Sequence, residues 1–284
     1  MHISPAREAA LVESREQWDR LSSAWLRWQD IFERGGAAVT TRLMELAELS
    51  PGQRVLDVGT GLGEPALTVA EEVGPTGSVV GIDVSPAMIG LARQRAAGSS
   101  TLEFLDTDPL RFETDRRFDA VLSRWCLMLV PERDATLRAL RALLVPGGVL
   151  VAAVWGPAVK APMMSLAFTV LGPLLQLGPP APDQPGPYAM ADAQQCRTEL
   201  TAAGFGPVSV VAVEAPFWFD SPEDYADFSL DVLPPGLRQL LHERLGSTDV
   251  SSVRQQIAAK AADFVSDGRV QLTSRTFCVR GVTP

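Results

Sequence analysis

The segment Asp57-Val-Gly-Thr-Gly-Leu-Gly63 constrains this chain more than any other stretch. Three glycines at every second position follow the β-branched run 54–58 and precede a helical pattern from about Pro65 to Val73. Without a Cβ, a main chain can bend sharply out of a strand and let a ligand lie directly against it. Strand, glycine turn and helix in that order open a parallel-sheet unit with a crossover helix.

The middle of the chain repeats that unit. Strands are expected at Ser78–Val84, Leu102–Leu105, Phe118–Ser123 and Val149–Trp155. Helices are expected from Ser85-Pro86, with Ser as cap and Pro in the first turn, and from about Glu132 to Leu144. Strands apolar on both faces belong inside a covered parallel sheet. Beyond them, residues 156–190 are rich in Pro and Gly and poor in charge. A helix is expected over Asp192–Ala203 and a strand over Val208–Val213. Residues 221–267 read as helical, and Arg269–Val279 alternates like an edge strand. The expected division is an N-terminal helical cap (1–50), an α/β core (51–156), an apolar insertion (157–190), and the rest of the core (191–284) with a helical lid at 221–268.

Charge and composition narrow the function. A net charge of −9 in 284 residues, with no Lys/Arg run, leaves little to neutralise phosphates, so nucleic acid is not an expected partner. Three scattered cysteines and two histidines give no disulfide framework, no metal-ligand spacing and no metal expectation. The charged N-terminus lacks a signal-peptide core. The uncharged stretch 161–182 is broken by Pro162, Gly172, Pro173 and a Gly178-Pro-Pro180 stop, so it reads as a covering segment rather than a membrane span. A cytoplasmic chain is expected, and a homodimer stays open. Trp18, Leu21, Trp25, Trp28 and Phe32 share one helical face. That stripe suits core packing and also a flat apolar cover over a substrate.

The turn discriminates among ligands. A dinucleotide site places its third glycine three residues after the second, where this chain has Glu64. A carboxylate there would repel a pyrophosphate at the helix start. Asp83, at the end of the second strand, is placed to accept from two ribose hydroxyls. Asp108, with Asp106 as its rival, is placed to accept from an adenine amino group.

Together, V-L-D-V-G-T-G-L-G (55–63), V-V-G-I-D-V-S-P-A-M (79–88), F-D-A-V-L-S-R (118–124) and L-L-V-P-G-G-V-L (143–150) resemble class I S-adenosylmethionine (SAM)-dependent methyltransferases, in particular the ubiquinone/menaquinone C-methyltransferase group. The resemblance is good over about 15–160. It implies a doubly wound, Rossmann-like α/β fold whose seven-stranded, mostly parallel sheet has an antiparallel last strand. It also implies that the helical block 221–268 faces the substrate. The cofactor would be SAM, leaving as S-adenosylhomocysteine. Its contacts would come from Asp57, Gly59, Thr60, Gly61, Asp83, Val84, Met88, Thr107, Asp108, Pro109, Ser123 and Arg124.

The expected reaction is in-line C- or O-methylation, without metal, of a small and largely apolar or aromatic metabolite, in keeping with secondary metabolism. Trp18, Trp25, Trp28, Arg124 and Trp155 are the substrate-side candidates. Arg124 could anchor an anionic substrate group or pair with Glu132 or Asp134. Among His242, Tyr188, Tyr225 and Arg124 none stands out as a base, so the catalytic residue is left unknown. Two alternatives remain: a SAM-binding natural-product cyclase that transfers no methyl group, and a non-catalytic SAM-binding interaction protein.

Overall fold

The computed structural model describes residues 5–178 and 184–284, without the side chains of residues 5 and 6. Part of the Gly178-Pro-Pro180 stop, and His2, lie outside the described residues. In chain order the elements are helices α1 (Pro5–Arg27) and α2 (Gln29–Ala47), strand β1 (Arg54–Val58), α3 (Ala66–Val73), β2 (Ser78–Asp83), α4 (Pro86–Arg95), β3 (Leu102–Asp106) and β4 (Phe118–Arg124). They continue with α5 (Arg133–Leu143), β5 (Leu144–Trp155), α6 (Pro162–Ser165), α7 (Phe168–Leu175), α8 (Ala193–Ala202) and β6 (Val208–Phe219). The chain then forms α9 (Pro222–Asp231), α10 (Pro235–Leu245), α11 (Ser251–Ala261), β7 (Val265–Ser266) and β8 (Arg269–Val282).

The strands form one sheet in the order β3-β2-β1-β4-β5-β8-β6, with β7 paired to β8. From β3 to β5 all pairings are parallel, while β8 runs antiparallel between β5 and β6. The last strand is therefore interior, not the edge its alternation suggested. Alternation reports that one face is less covered; it carries no information about neighbours in the hydrogen-bonding direction. Along β8 the Arg280 guanidinium reaches the Leu46 carbonyl of α2 at 2.8 Å, while the next residue, Gly281, abuts Leu200 and Phe205 on the α8 side. Successive residues face opposite sides of a strand, so helices cover both faces. β6 also extends six residues past the expected Val213, because its second half pairs with the still longer β8 as far as Phe219↔Val270.

The aromatic stripe does not form one helix. The chain breaks at Trp28 (φ −101°, ψ 8°), where α1 gives way to α2. Trp28 is pulled out of the stripe: its Nε1 donates to Asp231 Oδ2 at 2.9 Å and its ring packs on Phe219 and Phe228. α2 then lies on the sheet through Gly35 and Gly36. A Cβ on Gly35 would stand 2.3 Å from the buried Phe217 ring, and one on Gly36 would stand 3.0 Å from Trp125. A Gly35→Ala variant is expected to lose about 1–3 kcal/mol, since overpacking a closed interface forces helix and ring apart. Urea unfolding at wild-type stability would disprove that contact.

Helices α9–α11 pack on one another, on α7 and against β6 and β8, around the buried rings of Phe219, Tyr225 and Phe228. Tyr225 ties this layer to the segment after β5: its hydroxyl accepts from Ala167 N at 3.1 Å.

Candidate active site

Strands end where the chain must turn, and in an open parallel sheet those ends leave a crevice for ligands. Here the crevice lies beyond the C-terminal ends of β1, β2, β3 and β4 and is lined by the residues that follow each. After β1 come Gly59, Thr60, Gly61 and Glu64; β2 gives Asp83, with Val84 and Met88 after it. Thr107, Asp108 and Pro109 follow β3, and β4 supplies Arg124, with Trp125 and Cys126 after it.

The glycine turn is pinned to its neighbours. Gly59 N and Thr60 N donate to the Ile82 carbonyl at 2.8 and 3.0 Å, and Gly61 N donates to Asp83 Oδ2 at 3.0 Å. Gly59 (φ +73°) admits no side chain, because a Cβ would meet Cys126 Sγ at 2.3 Å. Gly61 (φ +53°) is the reverse case: an added Cβ meets nothing within 4 Å, so this backbone borders open cavity.

Two carboxyls sit under and beside the turn. Asp57 is fully buried and its Oδ2 accepts from Ala66 N at 3.2 Å, fixing the start of α3. Burial pushes its carboxyl up to about 7. A hydrogen bond from the buried Thr60 hydroxyl acts against that rise. Asp83 Oδ1 accepts from Ser85 N at 2.9 Å, and burial pushes its carboxyl up to about 6. Of the expected cofactor residues, Asp57 and Ser123 do not reach the cavity. Ser123 Oγ instead donates to the Val58 carbonyl at 3.0 Å, tying β4 to β1. A side chain at a strand's last inward position is hidden by the turn that follows it. Asp106 is exposed and absent from the lining, whereas Asp108 lines it, which separates the two rivals.

The N-terminal helix closes the crevice. Arg15 Nε donates to the Val84 carbonyl at 3.0 Å, and Asp19 Oδ1 accepts from Ser85 Oγ at 2.5 Å and Ala87 N at 3.1 Å. Arg7 bridges Asp108 at 2.9 Å and Glu132 at 3.0 Å. Asp108 Oδ1 also accepts from Leu110 N, so part of its acceptor capacity serves the protein itself.

The far end of the cavity is aromatic. Trp18, Trp25, Phe32 and Trp125 line it, with Trp25 edge-on to Phe32 at 4.4 Å between ring centroids and Phe32 edge-on to Trp125 at 5.9 Å. Arg124 lies here with both its η nitrogens engaged. Nη2 donates to the two Glu33 oxygens at 3.0 and 2.9 Å, and Nη1 donates to Thr40 at 2.9 Å. Its partner is thus neither Glu132 nor Asp134, which pair with Arg7 and Arg138. Glu64 lines the cavity, and burial raises its carboxyl.

Trp28 and Trp155 fall outside the lining. Trp155 is buried behind Trp125, stacked at 4.5 Å with an interplanar angle of 7°. His242, Tyr188 and Tyr225 are absent from it too, and so is every described residue of 157–190 and 221–268. Those segments do not enclose the cavity; α1 and α2 cover it. Gln29, Glu33 and Trp125 are among the lining residues that a reading of isolated motifs passes over. A signal for them exists: Gln29, Glu33, Gly36 and Thr40 recur at four, three and four residues. They form a polar and small stripe, and it meets Arg124.

Residues 49–165 match the family model described as a methyltransferase domain. Phosphoethanolamine N-methyltransferase 1 of Arabidopsis thaliana is 37% identical over 134 residues, 45% of this chain and 27% of that protein. The demethylmenaquinone methyltransferase of Symbiobacterium thermophilum is 36% identical over 145 residues, 49% of this chain and 53% of that one. The chain thus spans from about a quarter to about half of the length of these curated relatives. Among solved structures, Haemonchus contortus phosphoethanolamine N-methyltransferase 2 superposes with a TM-score of 0.57 at 18% identity, covering 93% of this chain and 57% of that one. Residues 49–165 thus match a methyltransferase domain and are similar in sequence to SAM-dependent methyltransferases, the ubiquinone/menaquinone C-methyltransferases among them, and the fold is the one those enzymes share.

Proposed function

We propose that the chain binds SAM across the glycine turn and transfers its methyl group to a small, largely apolar or aromatic acceptor held under α1 and α2. The observation that carries this reading is one cavity joining two unlike halves. One half has a glycine turn with carboxyls at the ends of β2 and β3; the other has an aromatic wall of Trp18, Trp25, Phe32 and Trp125. Most small-molecule sites are enclosed and mainly apolar, with few polar groups to fix orientation.

The first half fits SAM. Gly61 offers open backbone, and Asp83 and Asp108 offer carboxylate oxygens for hydroxyl and amino groups. SAM, when bound, supplies a methyl group on a sulfonium, open to in-line displacement. The chain's residues have positioning to do: Asp83 and the turn fix one end, the aromatic wall fixes the acceptor, and α1 excludes water. Alignment of that kind is worth on the order of 7–11 kcal/mol. Displacement from a sulfonium has no need of a metal. Both cations lining the cavity, Arg7 and Arg124, are held by carboxylates. That disfavours an anionic acceptor such as the phosphomonomethylethanolamine held by the Haemonchus protein. A cytoplasmic, monomeric or homodimeric enzyme of secondary metabolism, acting on carbon or oxygen, completes the proposal.

The test uses trideuteromethyl-labelled SAM with a panel of hydroxylated aromatic acceptors in the presence of a chelator, following product mass. A labelled product is expected. Product that needs SAM yet carries no label would establish the cyclase alternative instead. Turnover lost on chelation and restored by a divalent ion would overturn the metal-free mechanism.

A further inference from the structure

Two polar atoms at the aromatic end are buried and answered by no protein group among the described residues: Trp25 Nε1 and Gln29 Oε1. Both residues line the cavity. They stand four residues apart, so the helical path puts them on one side, straddling the break at Trp28. Leaving such atoms unpaired forfeits the hydrogen bond each would make to water. The neighbouring Trp28 shows the usual remedy, its Nε1 bonded to Asp231. Trp25 has no such partner among the described residues, and it faces the cavity.

We infer that Trp25 and Gln29 read a neutral oxygen function on the acceptor, one that accepts from the indole N–H and donates to the glutamine amide. The inference deepens the proposed function and rests on its assignment of this end of the cavity to the acceptor. An indole can only donate, so the group opposite it must accept. An anion is disfavoured, because Arg124 is spent on Glu33 and Thr40 and two carboxylates, Glu33 and Glu64, line the same space. A protonated amine cannot accept from Trp25. What remains is a hydroxyl, or a carbonyl beside an N–H, carried on a flat body that fits between Trp25, Phe32 and Trp125. The pair selects the acceptor and orients it; neither residue takes part in bond making.

The test is calorimetric binding of 1-naphthol and its isostere 1-methylnaphthalene to the full chain, with and without S-adenosylhomocysteine. Wild type is expected to prefer the naphthol by about threefold to tenfold, the worth of one or two neutral hydrogen bonds. Trp25→Phe, which keeps a ring and loses the N–H, and Gln29→Leu are each expected to erase most of that preference. Affinity for 1-methylnaphthalene should fall less than that for the naphthol, and affinity for S-adenosylhomocysteine should stay as in wild type. An unchanged naphthol preference in both variants would overturn the inference. So would an equal loss of both probes, which marks a merely structural role, or a wild type that binds neither. If S-adenosylhomocysteine fails to bind while the naphthol preference and its loss persist, the pair stands and the methyltransferase reading falls.

Discussion

Asp83→Ala is expected to weaken SAM binding by about a hundredfold or more, and Asp83→Asn by about tenfold. Asp83 closes β2 and borders the cavity, with one backbone N–H on each oxygen, from Gly61 and from Ser85. Each oxygen keeps a lone pair for a ligand, and charge-assisted bonds to two hydroxyls are worth about 1.5–3 kcal/mol apiece. The two substitutions separate two roles. Alanine also strands Gly61 N and Ser85 N and so loosens the turn itself, which is expected to lower stability. Asparagine keeps an acceptor for one of them and removes the charge, so its effect on SAM reports recognition more than scaffold. Calorimetry on both variants, with thermal unfolding of the free proteins alongside, checks this. Wild-type affinity in Asp83→Asn would take Asp83 out of the ligand's contacts.

The place of Asp83 beside the glycine turn was legible in the sequence because it depends on local order. A strand, glycines at alternate positions and an acid at the next strand's end put their groups together by chain geometry alone, and the parallel strands from Arg54 to Trp155 follow the β-branched runs to within a few residues. Reading failed where neighbours far along the chain decide. The three-four spacing of Trp18, Trp25, Trp28 and Phe32 is helical, but the chain breaks at Trp28, whose indole bonds Asp231 more than two hundred positions on. Trp155 is a strand-end aromatic like Trp125, yet stacking puts one behind the other. The pairing of Arg124 with Glu33 joins residues ninety-one positions apart, and only the docking of α2 through Gly35 and Gly36 brings them together. The lid expected of 221–268 failed for the same reason. Its amphipathic helices buried themselves against α7, β6 and β8, and the cover came from the first fifty residues instead.

Asp57→Asn is expected to stabilise the ligand-free protein at pH 8 and to change it little near pH 4. An unfolded carboxyl titrates near 3.8, while burial holds folded Asp57 near 7. Between those values the folded chain keeps a proton that the unfolded chain has lost, so stability from this group is complete below about pH 4 and fades as pH rises through 7. At pH 8 the ionised form costs the fold on the order of 4 kcal/mol if nothing compensates. The Thr60 hydrogen bond and the Arg124 charge lower that cost and Glu64 raises it, with burial dominant. Asparagine carries no charge to desolvate and keeps an oxygen for Ala66 N, so roughly half of the cost should be recovered after its own amide is accommodated. That corresponds to a rise in Tm of about 4–8 °C at pH 8. The same physics couples the site to its ligand. Asp83, held near 6 by burial, and Asp57 are both eased into their charged forms by a cation brought into the cavity. SAM should therefore bind more tightly at pH 7.5 than at pH 5.5, with protons released on binding. Calorimetry in two buffers of different ionisation enthalpy measures that release, and thermal unfolding from pH 4 to 8 measures the stability. Wild type and Asp57→Asn running parallel across that range would show that Asp57 enters the fold already charged.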